Sequence, residues 1–487
     1  MRNLFLGAAI LAQSCSVFAQ EYNQTYRPQV HFSPQKNWTN DPNGLVYFRG
    51  EYHLFFQYNP FGDQWGHMSW GHAVSPDLLH WNELPVAIPE ADGVMIFTGS
   101  VVVDHANSSG LCAPRKECLV AVYTGDGNTP EGHRETQNVA YSLDSGRTWT
   151  KFKGNPVLDL KMADFRDPSV FWDDSARYWV MSVAKPKERK VQFYSSLDLK
   201  QWTLLSDFGP AGNTDGDWEC PDLLRIPAAE GKDSIWALKV GTNPGALQGG
   251  SGEQYFLGNF DGKKFVASTE AGAHGWTNYG KDDYCAISFN GIPKGENPVL
   301  LGWMNNWQYA SKLPTSPWRG QMSLPRRLSF FKDEGGIALK QEPVTAPLRG
   351  KAGGLGSPLV APFEMEVKFE NPPASLFGVR IHSDESHWTE IGFDTEKKEF
   401  YIDRTKSGAE IAKDFPVRTK APLIAGRRYD MRIVVDRSSV EAYAQGGTIA
   451  MTNLIFPSPD AARVEVFPKN AKSSGRCWRL KSIWPAK

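Results

Sequence analysis

Asp41-Pro42-Asn43-Gly44-Leu45-Val46-Tyr47-Phe48 runs into Arg49-Gly50-Glu51 and then Tyr52-His53-Leu54-Phe55-Phe56-Gln57, and the fold can be read outward from this stretch. Pro42 fixes φ, Asn43 and Gly44 tolerate positive φ, and the aromatic and branched residues after them suit a strand. The segment therefore predicts a sharp turn, a strand, a hairpin turn and a second strand. An isolated Asp-Pro turn is ordinarily a solvated surface feature, but this one recurs. Asp167-Pro168 leads into Ser169-Val170-Phe171-Trp172, a turn at Asp173-Asp174-Ser175 and a second run over 178–183. Glu219-Cys220-Pro221-Asp222 leads into runs over 223–226 and 234–240. Looser copies open at Thr98-Gly99-Ser100 and at Asp282-Asp283-Tyr284-Cys285-Ala286.

A second phrase alternates with the first. Ser75-Pro76-Asp77 before Trp81, Ser142-Leu143-Asp144 before Trp149, and Ser196-Leu197-Asp198 before Trp202 each read as a strand carrying Ser, an Asp-centred turn and a Trp opening the next strand. Two strands from each phrase make a four-stranded antiparallel unit. Five units of roughly sixty residues predict a five-bladed β-propeller around a central channel. In such a ring, corresponding turns meet at one mouth of the channel, so Asp41, Asp167 and Glu219 are expected together there. The repeats are expected to end near Arg326-Arg327, and the Gly-rich stretch 350–358 reads as a linker or loop. Simpler alternation beyond it predicts a second all-β domain, a β-sandwich. The expected organisation is a signal peptide over 1–19, a propeller over 25–345 and a sandwich over 346–487.

Composition sets the bounds. At 487 residues the chain exceeds what one core ordinarily serves. A formal net charge of −1 with 22% charged residues gives no electrostatic footprint for nucleic acid or an anionic membrane. Arg2, the apolar run 4–11 and Val17-Phe18-Ala19 read as a secretory signal, too short to span a bilayer. Export to the periplasm or the exterior, an oxidising setting, is expected. The cysteines after the signal are Cys112, Cys118, Cys220, Cys285 and Cys477, an odd number that excludes complete pairing. Cys112 and Cys118 could close a short loop, Cys220 reads as a small core residue beside Glu219, and no spacing suggests a zinc site. The 17 Trp and 16 Tyr tilt the reading towards sugar stacking.

Three carboxylates in a wet channel mouth suit glycoside cleavage. A retaining glycosidase needs one carboxylate as nucleophile and one carboxylic acid to protonate the leaving oxygen. Crowded like charges raise the pKa of at least one of them.

The motifs Trp38-Thr39-Asn40-Asp41-Pro42-Asn43-Gly44, Phe165-Arg166-Asp167-Pro168 and Trp218-Glu219-Cys220-Pro221-Asp222 resemble the three signature motifs of glycoside hydrolase family 32, the β-fructofuranosidases. Phe97-Thr98-Gly99-Ser100, the stretches 302–307 and 318–326, and Asp436-Arg437-Ser438-Ser439-Val440-Glu441 resemble its further stretches, in order along the chain. Thr39 stands where the family most often has Met. The resemblance implies Asp41 as nucleophile, Glu219 as acid and base, and Asp167 as transition-state stabiliser. It places Asn40, Gln57, Trp65, Ser100, Arg166 and Trp303 around the fructose, and it calls for no metal and no organic cofactor. Trp70 is expected in the core, and His53, His67 and His72 have no catalytic pattern. The implied activity is exo-hydrolysis of levan- or inulin-type fructans, with sucrose as a further substrate. A sucrose-preferring invertase, an endo-levanase and a fructosyltransferase share the same acids. A non-catalytic fructan-binding protein is the alternative of another class, and the presence of all three acids speaks against it.

Overall fold

The computed structural model describes residues 22–333, 336–356, 359–370, 374–458 and 462–485. The expected signal segment, and part of the expected linker, lie outside them. Five sheets, antiparallel but for one short pairing, follow one another along the chain up to Pro343, and two sheets of six and five strands follow from Arg349. This is the expected five-bladed propeller followed by a sandwich.

Blade 1 is built from Asn37–Phe48, Glu51–Asn59, Ser69–Ser75 and Asn82–Ile88. Blade 2 begins at Val94–Asp104, blade 3 at Arg166–Asp173, blade 4 at Asp217–Pro227 and blade 5 at Tyr284–Ser288. The fifth blade is completed by Arg326–Asp333 and Gly336–Pro343, so the repeats run past Arg326-Arg327, contrary to the expectation. Its hydrophobic pattern was interrupted by residues 304–325, which leave the blade and return. Within that excursion Trp318–Arg319 pairs in parallel with Asn37 and Trp38, joining the last blade to the first. A segment from the end of the ring thus extends the inner sheet edge at its beginning.

The Asp-centred phrase has a common local cause. Asp77, Asp144 and Asp198 each accept a Ser hydroxyl, at 3.1, 2.8 and 3.1 Å, and backbone N–H groups that follow in the chain. The residue after each of them, Leu78, Ser145 or Leu199, has positive φ. An Asp that ties its own downstream backbone can hold a non-glycine residue in that conformation.

The turn expected at Asp41-Pro42-Asn43-Gly44 is instead a pair of irregularities inside one continuous strand, between Thr39 and Pro42 and between Asn43 and Val46. Pro42 lacks an N–H, so a bulge is where a paired strand can hold it. Gly44 has φ +53, and a Cβ there would lie 2.7 Å from Val101 Cγ2 and 2.8 Å from Phe55, so a side chain is excluded on both grounds.

The sandwich packs a six-stranded sheet against a five-stranded one around Phe363, Met365, Phe377, Phe393, Ile433 and Met451. It is locked to the propeller by buried charge. Arg404 donates to Asp282 Oδ2 (2.5 Å), to the Tyr309 hydroxyl (2.8 Å) and to the Phe415 carbonyl (2.7 Å). His31 Nδ1 lies 2.8 Å from Asp436, which also accepts the Gln29 and Val30 N–H groups and so pins the entering chain to the sandwich. Burial alone would depress the His31 pKa, but Asp436 and Glu441 outweigh it and push it up to about 9, so the imidazole is held as a cation.

Candidate active site

Each inner strand carries an irregularity at the channel mouth. Two residues face one on the neighbouring strand at Asn40–Asp41, Phe97–Thr98, Asp167–Pro168, Cys220–Pro221 and Cys285–Ala286. Bulges re-aim side chains, and here they turn a run of side chains into the channel. Asp167, Cys220 and Cys285 hold positive φ of 66, 47 and 44 degrees.

The contacts sort these side chains into two tiers. The lower tier is Asp41, Thr98, Asp167, Cys220 and Cys285. Thr98 Oγ1 donates to Asp41 Oδ2 at 2.9 Å, the Cys220 N–H donates to Asp167 Oδ2 at 2.9 Å, and Cys220 is joined to Cys285 by a disulfide. The upper tier holds Glu219 between Arg166 and Tyr284. Arg166 Nε and Nη2 donate to Glu219 Oε1 at 3.1 and 2.9 Å, and the Tyr284 hydroxyl donates to Oε2. In the bulge register Glu219, directly before its pair, is therefore the counterpart of Arg166 and Tyr284, and it is Cys220 that is the counterpart of Asp167. The sequence reading, which set Glu219 level with Asp167, was one residue out of step. Even so, the three acids line one cavity of about 580 Å³.

Electrostatics differ sharply between the tiers. Burial pushes the Asp41 carboxyl up to about 6. The Asn40 amide and Thr98 hydroxyl pull it down, and the Glu219 charge adds to the rise. Asp41 Oδ1 is buried with no hydrogen-bond partner among the described residues. Burial likewise lifts Asp167 well above the usual carboxylate range, opposed by Arg166 and reinforced by Glu219 and Asp41. Arg166 remains charged: burial disfavours the cation, but Glu219, Glu135 and Asp167 more than offset it. Tyr284 is held protonated by burial and by the neighbouring Glu219 charge.

Of the other expected site residues, Asn40, Gln57, Trp65 and Arg166 line the acid cavity. Gln57 donates to the Ile96 carbonyl at 3.0 Å, and Trp65 is 46% exposed at the rim. Two expected residues lie elsewhere. Trp303 is fully buried, packed with Trp38, Cys220 and Tyr284, and of the two tryptophans in that stretch it is Trp307 that reaches the cavity. Ser100 accepts the Val170 N–H at 2.9 Å, fastening blade 2 to blade 3. It faces a second cavity of about 340 Å³ that shares Thr98 and Asp167 with the first and continues between the inner strands to Asp222 and Asn290. Ser100 follows the bulge that resets strand alternation in blade 2, whereas Trp303 closes an unbulged strand and Trp307 lies beyond its end. Trp70 is in the core as expected, and His53 and His72 form a buried stacked pair.

Residues 31–343 match the glycosyl hydrolases family 32 N-terminal domain, and residues 341–484 match the glycosyl hydrolases family 32 C-terminal domain. The chain belongs to glycoside hydrolase family 32. It is 40% identical over 490 residues to a levanase of Bacillus subtilis (strain 168), covering 95% of this chain and 72% of that one. The crystal structure of exo-inulinase from Aspergillus awamori superposes with a TM-score of 0.88 at 36% identity, over 95% of this chain and all of the other. A β-fructofuranosidase from Schwanniomyces occidentalis, solved with fructosyl-erythritol, superposes at 0.83 with 34% identity over 96% and 99%.

The family 32 cavity also contains residues the sequence reading missed. Thr98 and Tyr284 touch the acids directly. Glu135 accepts both Arg166 Nη1 (3.0 Å) and the Phe165 N–H (2.6 Å), so it fixes the guanidinium from behind. Asp126 and His133, 2.8 Å apart, stand on the same hairpin and line the same wall. Only Thr98 and Tyr284 had a sequence signal, since each sits at a blade's repeat position.

Proposed function

We propose that this chain is a secreted, retaining β-fructosidase that releases fructose from the ends of levan- or inulin-type fructans and also cleaves sucrose. Residues 25–345 carry the catalysis and 346–487 brace them. The observation that carries the reading is Asp41, one of whose carboxylate oxygens is buried without a partner among the described residues, lining a cavity whose wall presents Glu219 between Arg166 and Tyr284.

Asp41 attacks the anomeric carbon of a terminal fructosyl unit. The bond to the leaving oxygen breaks, and that oxygen takes a proton from Glu219. Water then attacks the fructosyl ester, Glu219 removes its proton, and Asp41 departs as carboxylate. Asp167, pinned by the Cys220 N–H, accepts fructose hydroxyls as positive charge develops on the ring. Arg166 holds Glu219 at the wall, and Asn40, Gln57 and Trp65 hold the sugar. Names such as levanase and extracellular exo-inulinase among the relatives support both the substrate class and the address. Two disulfides suit an oxidising compartment. No helix among the described residues is long and apolar enough to cross a membrane.

Chromatography of products from levan, inulin and sucrose over time tests the reading. Free fructose from the first time point is expected, with no intermediate ladder. A ladder of oligosaccharides would make the enzyme endo-acting, and longer chains from sucrose would make it a transferase. Cleavage of sucrose alone would make it an invertase. Binding without any product would leave only a lectin-like role.

A further inference from the structure

Cys220 and Cys285 occupy the bulge position that holds Asp167 in blade 3, and they are bonded to each other across 65 residues of chain. Both are 1% exposed. Each follows directly on an upper-tier residue, Glu219 and Tyr284, and those two side chains touch. The Cys220 sulfur lies 3.8 Å from Asp41 Oδ2, while the Cys220 N–H holds Asp167. The other disulfide, Cys112–Cys118, spans six residues beside blade 2, and its cysteines pack in a core with Val102 and Val120.

We infer that the Cys220–Cys285 disulfide is a positioning element of the reaction, fixing Glu219 against Tyr284 and seating a sulfur without a proton against Asp41. The inference rests on the roles proposed above for Asp41 and Glu219. Two physical effects support it. Non-glycine residues at positive φ persist only where their surroundings over-determine them, and one covalent bond holds two such residues, each with an upper-tier side chain attached to it. In addition, a disulfide sulfur cannot donate a hydrogen bond, so Thr98 is the hydroxyl that quenches Asp41 Oδ2. A free thiol at the same place would donate to that oxygen, stabilise its charged form and make it a poorer nucleophile. The charged and titratable groups facing Asp41 are Glu219, Asp167 and Tyr284, with Asn40 and Thr98 at the side, and none of them is itself substituted in the cysteine variants.

The test begins with a non-reducing peptide map of the full-length enzyme, in which a cross-linked pair holding Cys220 and Cys285 is expected. Then kcat, KM and the pH profile of kcat/KM are measured on sucrose for C220A/C285A, for C285A and for the control C112A/C118A. The double variant at the site is expected to lose about 10- to 100-fold in kcat with KM within about threefold, the signature of misplaced reacting groups. C285A, which leaves a thiol on Cys220, is expected to move the acidic limb to lower pH as well as lose kcat. C112A/C118A is expected to keep wild-type kcat. Wild-type kcat and pH profile in a folded C220A/C285A or C285A protein would overturn the inference, as would the absence of the cross-linked peptide. If the double variant does not fold, C285A alone decides. Should Asp41→Asn and Glu219→Gln abolish turnover while the cysteine variants keep it, this inference fails alone; should the acid variants stay active, the proposed mechanism itself fails.

Discussion

Asp41→Asn is expected to lower kcat by a factor on the order of 10⁴ to 10⁶, the range seen when a reacting side chain is removed from an enzyme whose binding groups remain. The same change should make the protein more stable at neutral pH. The Asp41 carboxyl titrates near 6 in the folded chain because burial penalises its charged form, against an ordinary value near 4 in an unfolded one. The folded state therefore holds this proton more tightly. Its stability falls as pH rises from about 4 to about 6 and is flat above. A raised value of about two units corresponds to about 3 kcal/mol at most. Asn carries no charge to bury, so thermal unfolding of the variant should exceed wild type above pH 6 and converge with it near pH 4. The acidic limb of wild-type kcat/KM is expected near pH 6, because the nucleophile must be ionised in the free enzyme. A variant that is inactive and also less stable at pH 7 would mean that Asp41 holds the fold together, and that its burial is not offset elsewhere for the sake of the reaction.

The second large effect lies far from substrate. Arg404→Ala is expected to destabilise the protein by about 3–5 kcal/mol, because it leaves Asp282 buried without its guanidinium. Both side chains are fully buried, and Asp282 lies on the propeller while Arg404 is on the sandwich strand Glu399–Lys406. Asp282 also accepts the Leu454 N–H at 2.8 Å and precedes the strand that bears Tyr284. Unfolding should shift down by several degrees, and it should recover much of the loss when Asp282→Asn is combined with Arg404→Met, which removes both charges together. Calorimetry checks this. A shift of less than about one degree for Arg404→Ala would show that the two domains do not depend on this pair.

Much of the architecture was legible because a propeller repeats itself. The Asp-Pro phrase and the Ser-x-Asp phrase are each one local solution to one local problem, and their alternation gave the blades. The same phrases hid the register. Asp41, Asp167 and Glu219 look equivalent as acids, but the prolines that follow Asp167 and Cys220 are the better marker, since Pro168 and Pro221 sit inside the bulges, where a strand can spare an N–H. Aligned on proline, the chain places Cys220 in the lower tier and Glu219 above it, as the contacts do. The Cys220–Cys285 bond and the return of Trp318–Arg319 onto Asn37 and Trp38 link residues distant in sequence, and no local pattern encodes them. Trp303 and Trp307 differ by one turn of chain beyond a strand end, where alternation no longer predicts which ring faces the cavity.

The central claim is that Asp41 forms the covalent bond to fructose while Glu219 moves the proton. Glu219→Ala removes the base needed to release the fructosyl group, so a fructoside with an activated leaving group should load the enzyme and stall. Peptide mass spectrometry of the quenched Glu219→Ala protein should find a fructosyl adduct on the peptide that contains Asp41, and none in Glu219→Ala/Asp41→Asn. An adduct on Asp167, or rapid product of inverted anomeric configuration with no adduct, would contradict the account.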